Sequence, residues 1–194
     1  MSEEAALALM EARLALKPLR QGQVDGFCGV YAILNAVRLL AYPDRQLHPA
    51  ESRRIFRKAV HILSRHRLLK MAATLGLDPK PWQTMLDNLI PEIASIAGFS
   101  IRQRQLFKAK AGLKASTATA AIRNYIDQGC PIVLILDGVY DHWTVIAGYS
   151  QHRLHLFDSD GYRWINPASV GLDDRLPHFL RPESTFAFER VPDG

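Results

Sequence analysis

The stretch that most constrains the fold begins at Cys28 and continues without a strong helix breaker until Pro43. Its side chains are apolar on nearly every side of a helix. A helix that is hydrophobic all round must be buried, so this stretch predicts a core helix of about three turns. The turn-forming residues Asp25 and Gly26 come just before it. Cys28 therefore lies where a loop becomes a helix.

That position suits a reactive cysteine. The first turn of a helix has backbone N–H groups without a helical partner and the positive end of the helix dipole, and both stabilise an anion. Cys28 is therefore a candidate nucleophile. The alternative is a structural cysteine at the start of a core helix, since free cysteine is among the most buried residue types. Gln23 lies five positions earlier, and its amide is a candidate partner for the same site.

The spacing of apolar residues changes along the chain. Residues 1–128 show mainly helical spacing, whereas short apolar runs bounded by turn residues predict strands within residues 129–194. The connections between these strands are tight, which favours antiparallel pairing. A helical part followed by a sheet predicts an α+β fold, in one domain over residues 1–194. Residues 171–185, which contain two prolines, are predicted to be a surface loop.

Two residues of the predicted sheet complete a candidate catalytic set. His142 opens one strand, and Asp158 closes the next strand sixteen positions later. If the strands are neighbours, an aspartate there can bind one imidazole nitrogen and leave the other facing the Cys28 thiol. Asp160 has the same strand parity and is the reserve candidate. The alternatives are an ordinary strand histidine and an ordinary turn aspartate.

Charge and composition limit the partners. The net charge is +5, and basic residues cluster over residues 53–70 and again over 102–114. We interpret these clusters as solvated helix faces, and the alternative is that they attract an anionic partner such as an acidic protein. A nucleic-acid partner is not expected, because no aromatic residues alternate with the basic ones to stack on bases.

The number of cysteines and the N-terminal sequence indicate the cellular environment of the chain. Cys28 and Cys130 are too few for a disulfide scaffold, and the N-terminus lacks the basic start of a secretory signal. We therefore expect a reduced, cytoplasmic environment. No apolar run is long enough to span a membrane, and no Cys/His group has a metal-ligand spacing. No membrane span, metal or other cofactor is predicted.

The combined pattern resembles the papain-like cysteine peptidases. Those enzymes carry Gln, Cys, His and Asp or Asn in this order along the chain, and Gln23, Cys28, His142 and Asp158 match it. The block DGFCGV at residues 25–30 most resembles the double-glycine leader peptidases that process bacteriocins. The resemblance covers the nucleophile block and the two strands that carry the histidine and the aspartate.

The resemblance implies a papain-like fold, in which the helix led by Cys28 packs on the C-terminal antiparallel sheet. It implies that Cys28 attacks a carbonyl carbon, that His142 transfers the proton and that Asp158 orients His142. Gln23 and the backbone N–H of Cys28 would form the oxyanion hole. The interval between Gln23 and Cys28 is shorter than in many papain-like enzymes, so Gln21 is an alternative donor.

The leading hypothesis on this basis is a cysteine peptidase or isopeptidase. It would hydrolyse a peptide-type amide through an acyl-enzyme on Cys28. Its partner would be a polypeptide substrate, such as a flexible protein tail or a ubiquitin-like modifier. Two alternatives stay open: a papain-like deamidase or transglutaminase-like acyltransferase, and a non-enzymatic papain-like module that binds an anionic partner through its basic helix.

Overall fold

A computed structural model describes residues 3–107 and 113–191 of the chain. Residues 1–2, 108–112 and 192–194 lie outside the described residues, and with them part of the predicted domain and of the second basic cluster. Over the described residues the chain forms six α-helices, one short 3-10 helix and a seven-stranded sheet. The predicted α+β class is confirmed.

The elements follow one another as the spacing of apolar residues predicts, with most helices first and most strands last. The helices are α1 (Glu3–Leu14), α2 (Cys28–Ala41), α3 (Pro49–Arg65), α4 (Leu69–Thr74), α5 (Pro79–Ala97) and α6 (Ala115–Asp127). The strands are β1 (Ser100–Gln105), β2 (Ile132–Gly138), β3 (His142–Tyr149), β4 (Leu154–Leu156), β5 (Trp164–Ile165), β6 (Val170–Gly171) and β7 (His178–Val191), with the 3-10 helix at Pro167–Ser169. None of the described helices is both long enough and apolar enough to cross a membrane.

Helix α2 is the predicted core helix. Twelve of its fourteen residues are buried, and it packs against β3 at the centre of the sheet. Asn35 is the buried polar residue among them. Its side-chain oxygen accepts from the Leu19 N–H at 2.8 Å, and its amide donates to the Leu19 carbonyl oxygen at 3.2 Å. These two bonds hold the segment that leads to Cys28 against the helix.

Helix α3 begins with a complete set of start signals. Pro49 occupies the first turn, where its missing N–H costs no helical bond. The His48 side chain accepts from the Ala50 N–H at 3.2 Å, and Glu51 accepts from the His48 N–H at 2.8 Å. This reciprocal arrangement is a capping box. The apolar face of α3 packs towards α2 and α5, so its arginines lie on the solvent side.

The sheet is the middle layer of the fold. Its strands run in the order β1-β7-β2-β3-β4-β5, with antiparallel neighbours, and β6 pairs in parallel with β7. Val133 and Ile135 of β2 face the cluster formed with α2, α3 and α5, whereas Ile132 and Leu134 face the cluster formed with α6. Burial on both faces explains why the sequence of β2 is an uninterrupted apolar run.

The loop predicted over residues 171–185 ends earlier than expected, because β7 begins at His178. The prediction is wrong for the second half of that stretch. The pairing of β7 with β2 is irregular between Leu180 and Thr185, and Pro182 lies within this interruption. A proline at such a bulge interrupts no ladder hydrogen bond, so the turn-like sequence is compatible with a strand.

Candidate active site

Cys28 is the first residue of α2 and lines a cavity of about 230 Å³. It is 9% exposed, at the border between the core and the cavity. In the described first turn of α2, Phe27 provides no side-chain cap and no acidic residue is present. The position of Cys28 at the start of α2 is as predicted from the sequence, and the effect of the helix end on its thiol stays a prediction.

The loop before Cys28 is held in place by its own aspartate. One carboxylate oxygen of Asp25 accepts from the Gly22 N–H at 2.8 Å, and the other accepts from the Phe27 N–H at 3.2 Å. The Gly26 N–H donates to the Ala73 carbonyl oxygen at 2.9 Å. A Cβ at Gly26 would lie 2.8 Å from backbone atoms of the α4 region, so only glycine permits this approach. The loop thus fixes where α2 begins.

Gly29 allows two tryptophans to pack directly under the start of α2. The Trp82 and Trp143 rings are stacked with their centroids 4.2 Å apart. The Trp82 indole N–H donates to the Gly29 carbonyl oxygen at 3.0 Å, and that of Trp143 donates to the Leu77 carbonyl oxygen at 2.6 Å. A Cβ on Gly29 would lie 2.7 Å from the Trp82 ring, which is too close. Because Trp143 follows His142, this stack holds the start of β3 beside the start of α2.

His142 is the first residue of β3 and is 7% exposed. Its Nε2 lies 2.8 Å from an Asp158 carboxylate oxygen. The side chain of Cys28 is the other group that acts on the imidazole. Cys28 and His142 line the same cavity, and the Cys28 Sγ also lies 3.8 Å from the Gly26 carbonyl oxygen. The structure thus brings Cys28 and Asp158 to the same histidine, and we call these three residues the row.

The carboxylate of Asp158 is fixed from behind by the loop that follows it. Its second oxygen accepts from the backbone N–H groups of Asp160, Gly161 and Tyr162 at 2.8, 2.9 and 3.2 Å. Burial raises the pKa of Asp158, but the hydrogen bonds from His142 and the loop outweigh it, and the pKa is lowered. Asp158 is therefore a carboxylate near neutral pH. The reserve candidate Asp160 is exposed and serves as one of the backbone donors.

The same contacts set the charge of the imidazole. Burial lowers the pKa of His142, but the hydrogen bonds and charges of Asp158 and Cys28 raise it more, to about 10. The imidazolium form of His142 is thus favoured beside the Asp158 carboxylate.

Stability is expected to depend on pH through this histidine. A pKa that rises from about 6.5 in the unfolded chain to about 10 in the folded chain stabilises the fold fully below about pH 6.5. The contribution is lost as the pH rises towards 10. We expect the difference in unfolding free energy between wild type and His142→Ala to shrink across this window in urea titrations. A difference that stays constant across the window would contradict the assignment.

The two glutamines lie in different surroundings. Gln23 is exposed, and within the described residues no hydrogen bond joins its side chain to Cys28. Gln21 is half-buried: its N–H donates to the Ser159 carbonyl oxygen at 3.1 Å, and its side-chain oxygen accepts from the Ser159 hydroxyl at 3.1 Å. Gln21 thus supports the loop next to Asp158. The oxyanion role of Gln23, with Gln21 as the alternative, stays a prediction.

One wall of the cavity at Cys28 carries charged residues that the sequence did not predict to be part of the site. Asp137, at the end of β2, is buried and forms an ion pair with Arg181 of β7, and Asp141 lies directly before His142. Burial raises the pKa of Asp137, with Arg181 lowering it and Asp141 raising it. Asp141 has a left-handed φ of 45°, which is uncommon for a residue other than glycine. The sequence feature that could have indicated this wall is Asp137, a carboxylate that directly follows the apolar run of β2.

The second cysteine, Cys130, takes no part in the candidate site. Both cysteines are free, and Cys130 is buried in the core, where burial raises the pKa of its thiol to about 11. Within the described residues, no group of three or more His, Cys, Asp or Glu side chains is arranged to hold a metal ion.

A scan against protein-family models, a search of curated proteins and a search of solved structures each find no match to this chain.

Proposed function

We propose that the chain is a papain-like cysteine hydrolase that cleaves a peptide-type amide through a thioester on Cys28. The observation that carries the proposal is the row formed by Cys28, His142 and Asp158 at a cavity. A thiol at a helix N-terminus, an imidazole beside it and a carboxylate on the far nitrogen correspond to a nucleophile, a base and an orienting group. A core helix packed on an antiparallel sheet is also what the resemblance implies.

The first half of the reaction forms the acyl-enzyme. His142 holds the proton of the Cys28 thiol, and the thiolate attacks the carbonyl carbon of the amide. The backbone N–H of Cys28 and the positive end of α2 stabilise the oxyanion of the tetrahedral intermediate. When the C–N bond breaks, the imidazolium of His142 donates its proton to the leaving amine. The product is a thioester on the sulfur of Cys28.

The second half releases the acid. A water molecule takes the place of the amine, and His142 accepts one of its protons as the oxygen attacks the thioester carbonyl. The C–S bond then breaks, and the proton returns from His142 to the sulfur. Asp158 keeps its negative charge throughout, because its second oxygen is bound by three backbone N–H groups. It orients His142 and stabilises the imidazolium without accepting the proton.

The size of the cavity favours an extended polypeptide as the substrate. At about 230 Å³ it is smaller than the pockets that enclose drug-sized ligands. Part of its apolar lining comes from Met71 of α4 and from Leu75 and Leu77, on either side of Gly76. One side chain and a short stretch of extended backbone fit such a space, as in a flexible protein tail or the tail of a ubiquitin-like modifier.

A mixture of tryptic peptides tests the proposal, because it offers many different sequences to the site at once. The chain and its Cys28→Ala variant are incubated with the mixture, and the products are compared by mass spectrometry. We expect new peptide termini that depend on Cys28. Deamidated peptides or conjugates between peptides, with no new termini, would instead indicate that the chain is a deamidase or an acyltransferase. If the two proteins give the same products, the hydrolase proposal is wrong.

A further inference from the structure

A second, larger cavity lies between α2 and α3. Its volume is about 480 Å³, and it shares no lining residue with the cavity at Cys28. We call it the α2–α3 groove. Its floor is apolar and is formed by Leu19, Tyr31, Leu34, Leu47 and Phe56. Apolar surface of this kind gains free energy when a ligand removes it from water.

The rim of the groove is strongly and purely cationic. Arg20, Arg38, Arg53 and Arg57 line it, and no aspartate or glutamate does. Within the described part of the chain, none of these four arginines forms an ion pair with a carboxylate. Arg20 instead donates to the Asp160 carbonyl oxygen at 2.9 Å. Other surface arginines of the chain do have carboxylate partners, as at Arg45, Arg175 and Arg190.

Arg38 is the most informative of the four. It is half-buried among apolar residues, and this burial lowers its pKa. A partly buried cation without an acidic partner is costly, because its charge is neither fully hydrated nor paired. An anionic ligand in the groove would remove that cost.

Residues of both helices line the groove. On α2 it is lined by Tyr31, Leu34 and Arg38, and on α3 by Arg53, Phe56 and Arg57, at the spacing of one helix face. The seven steps from Tyr31 to Arg38 on α2 span roughly 10 Å, which matches two turns of a bound helix or three residues of an extended strand. A polypeptide segment therefore fits the length of the groove.

We propose that the α2–α3 groove binds an acidic polypeptide segment that inserts an apolar side chain. The carboxylates of the segment pair with the four arginines of the rim, and its apolar side chain covers the floor. Nucleic acid fits less well, because the Tyr31 and Phe56 rings lie 5.6 Å apart and pack on each other. The two rings are inclined by 50° to each other, so they present no common flat face on which successive bases can stack. The binding requires no chemistry at Cys28.

Fluorescence anisotropy tests the proposal with a short fluorescein-labelled peptide of alternating glutamate and leucine. The full chain is expected to bind it saturably, with an affinity that falls as salt is added. Arg53→Glu or Arg57→Glu is expected to weaken binding at least about tenfold, because like charges then face each other. Arg54→Glu is the matched control: it makes the same charge change on the same exposed stretch of α3, outside the groove. Its affinity is expected to stay at the wild-type value.

Three results would overturn the proposal. The first is the absence of saturable binding, and the second is an equal loss of affinity in Arg54→Glu. The third is tighter binding of dodecanoate or of an oligothymidylate than of the acidic peptide. The same titration on Cys28→Ala separates this proposal from the hydrolase proposal. If the peptide binds but the chain shows no hydrolase activity, only the peptide-binding proposal is supported. If the chain hydrolyses peptides but does not bind the acidic peptide, only the peptide-binding proposal is wrong.

Discussion

His142→Ala is expected to lower kcat/KM for hydrolysis of a cleaved peptide by about 10³–10⁶-fold. Without the imidazole, the Cys28 thiol loses the group that takes its proton, and the leaving amine loses its proton donor. The carboxylate of Asp158 also keeps its backbone partners but loses His142, to which it is bound at 2.8 Å. The effect should appear in kcat more than in KM, since His142 acts on the transition state.

The matched control for this variant is His155→Ala. His155 lies on β4, the strand next to β3, and is half-buried, but it has no place in the row. Its substitution is expected to leave kcat/KM unchanged. Circular dichroism establishes that both variants are folded before rates are compared. Equal losses in the two variants, or a His142→Ala variant with wild-type activity, would remove His142 from the mechanism.

Trp82→Ala is expected to have the largest effect on stability, about 3–5 kcal/mol of unfolding free energy. Trp82 is fully buried, and its ring stacks on Trp143 at 4.2 Å and on Phe186 at 5.3 Å. Truncation leaves a cavity beneath α2 and removes the donor from the Gly29 carbonyl oxygen. The loss of this buried hydrogen bond adds to the cost of the cavity.

Trp164→Ala is the matched control for the buried tryptophan. Trp164 is 45% exposed on β5, with Arg153 over its ring at 4.4 Å. Its truncation is expected to cost less than about 1 kcal/mol in chemical denaturation. A loss at Trp82 no larger than the loss at Trp164 would mean that the indole stack does not organise the core between α2 and the sheet.

The fold class and the start of α2 could be predicted because local sequence determines them. The continuous apolar stretch after Cys28 requires a buried helix, and the short apolar runs after residue 129 require strands. His142 and Asp158 could be selected because each lies near a predicted strand end. Asp158 itself lies just beyond β4, in a loop that the three backbone donors define. Its position relative to His142 still follows from the pairing of β3 with β4.

Contacts between distant segments could not be predicted in the same way. Trp82 and Gly29 are far apart in the sequence, and only the packing of α5 against α2 joins them. The pair formed by Asp137 and Arg181 depends on β7, whose first residues resemble a loop because of Pro182. The α2–α3 groove likewise combines faces of two helices. The spacing of apolar residues predicts a face on each helix, but only the packing of α2 against α3 determines which arginines lie at the same groove.

The proposed hydrolase mechanism requires that His142 takes the proton of the Cys28 thiol. Iodoacetamide labelling across pH measures this directly, with the rate at Cys28 followed by peptide mass spectrometry and the buried Cys130 as the internal reference. We predict rapid alkylation of Cys28 at about pH 6 in the wild type and a shift of the rate profile to that of free cysteine, near pH 8.5, in His142→Ala. Profiles that match free cysteine in both proteins would contradict the claim.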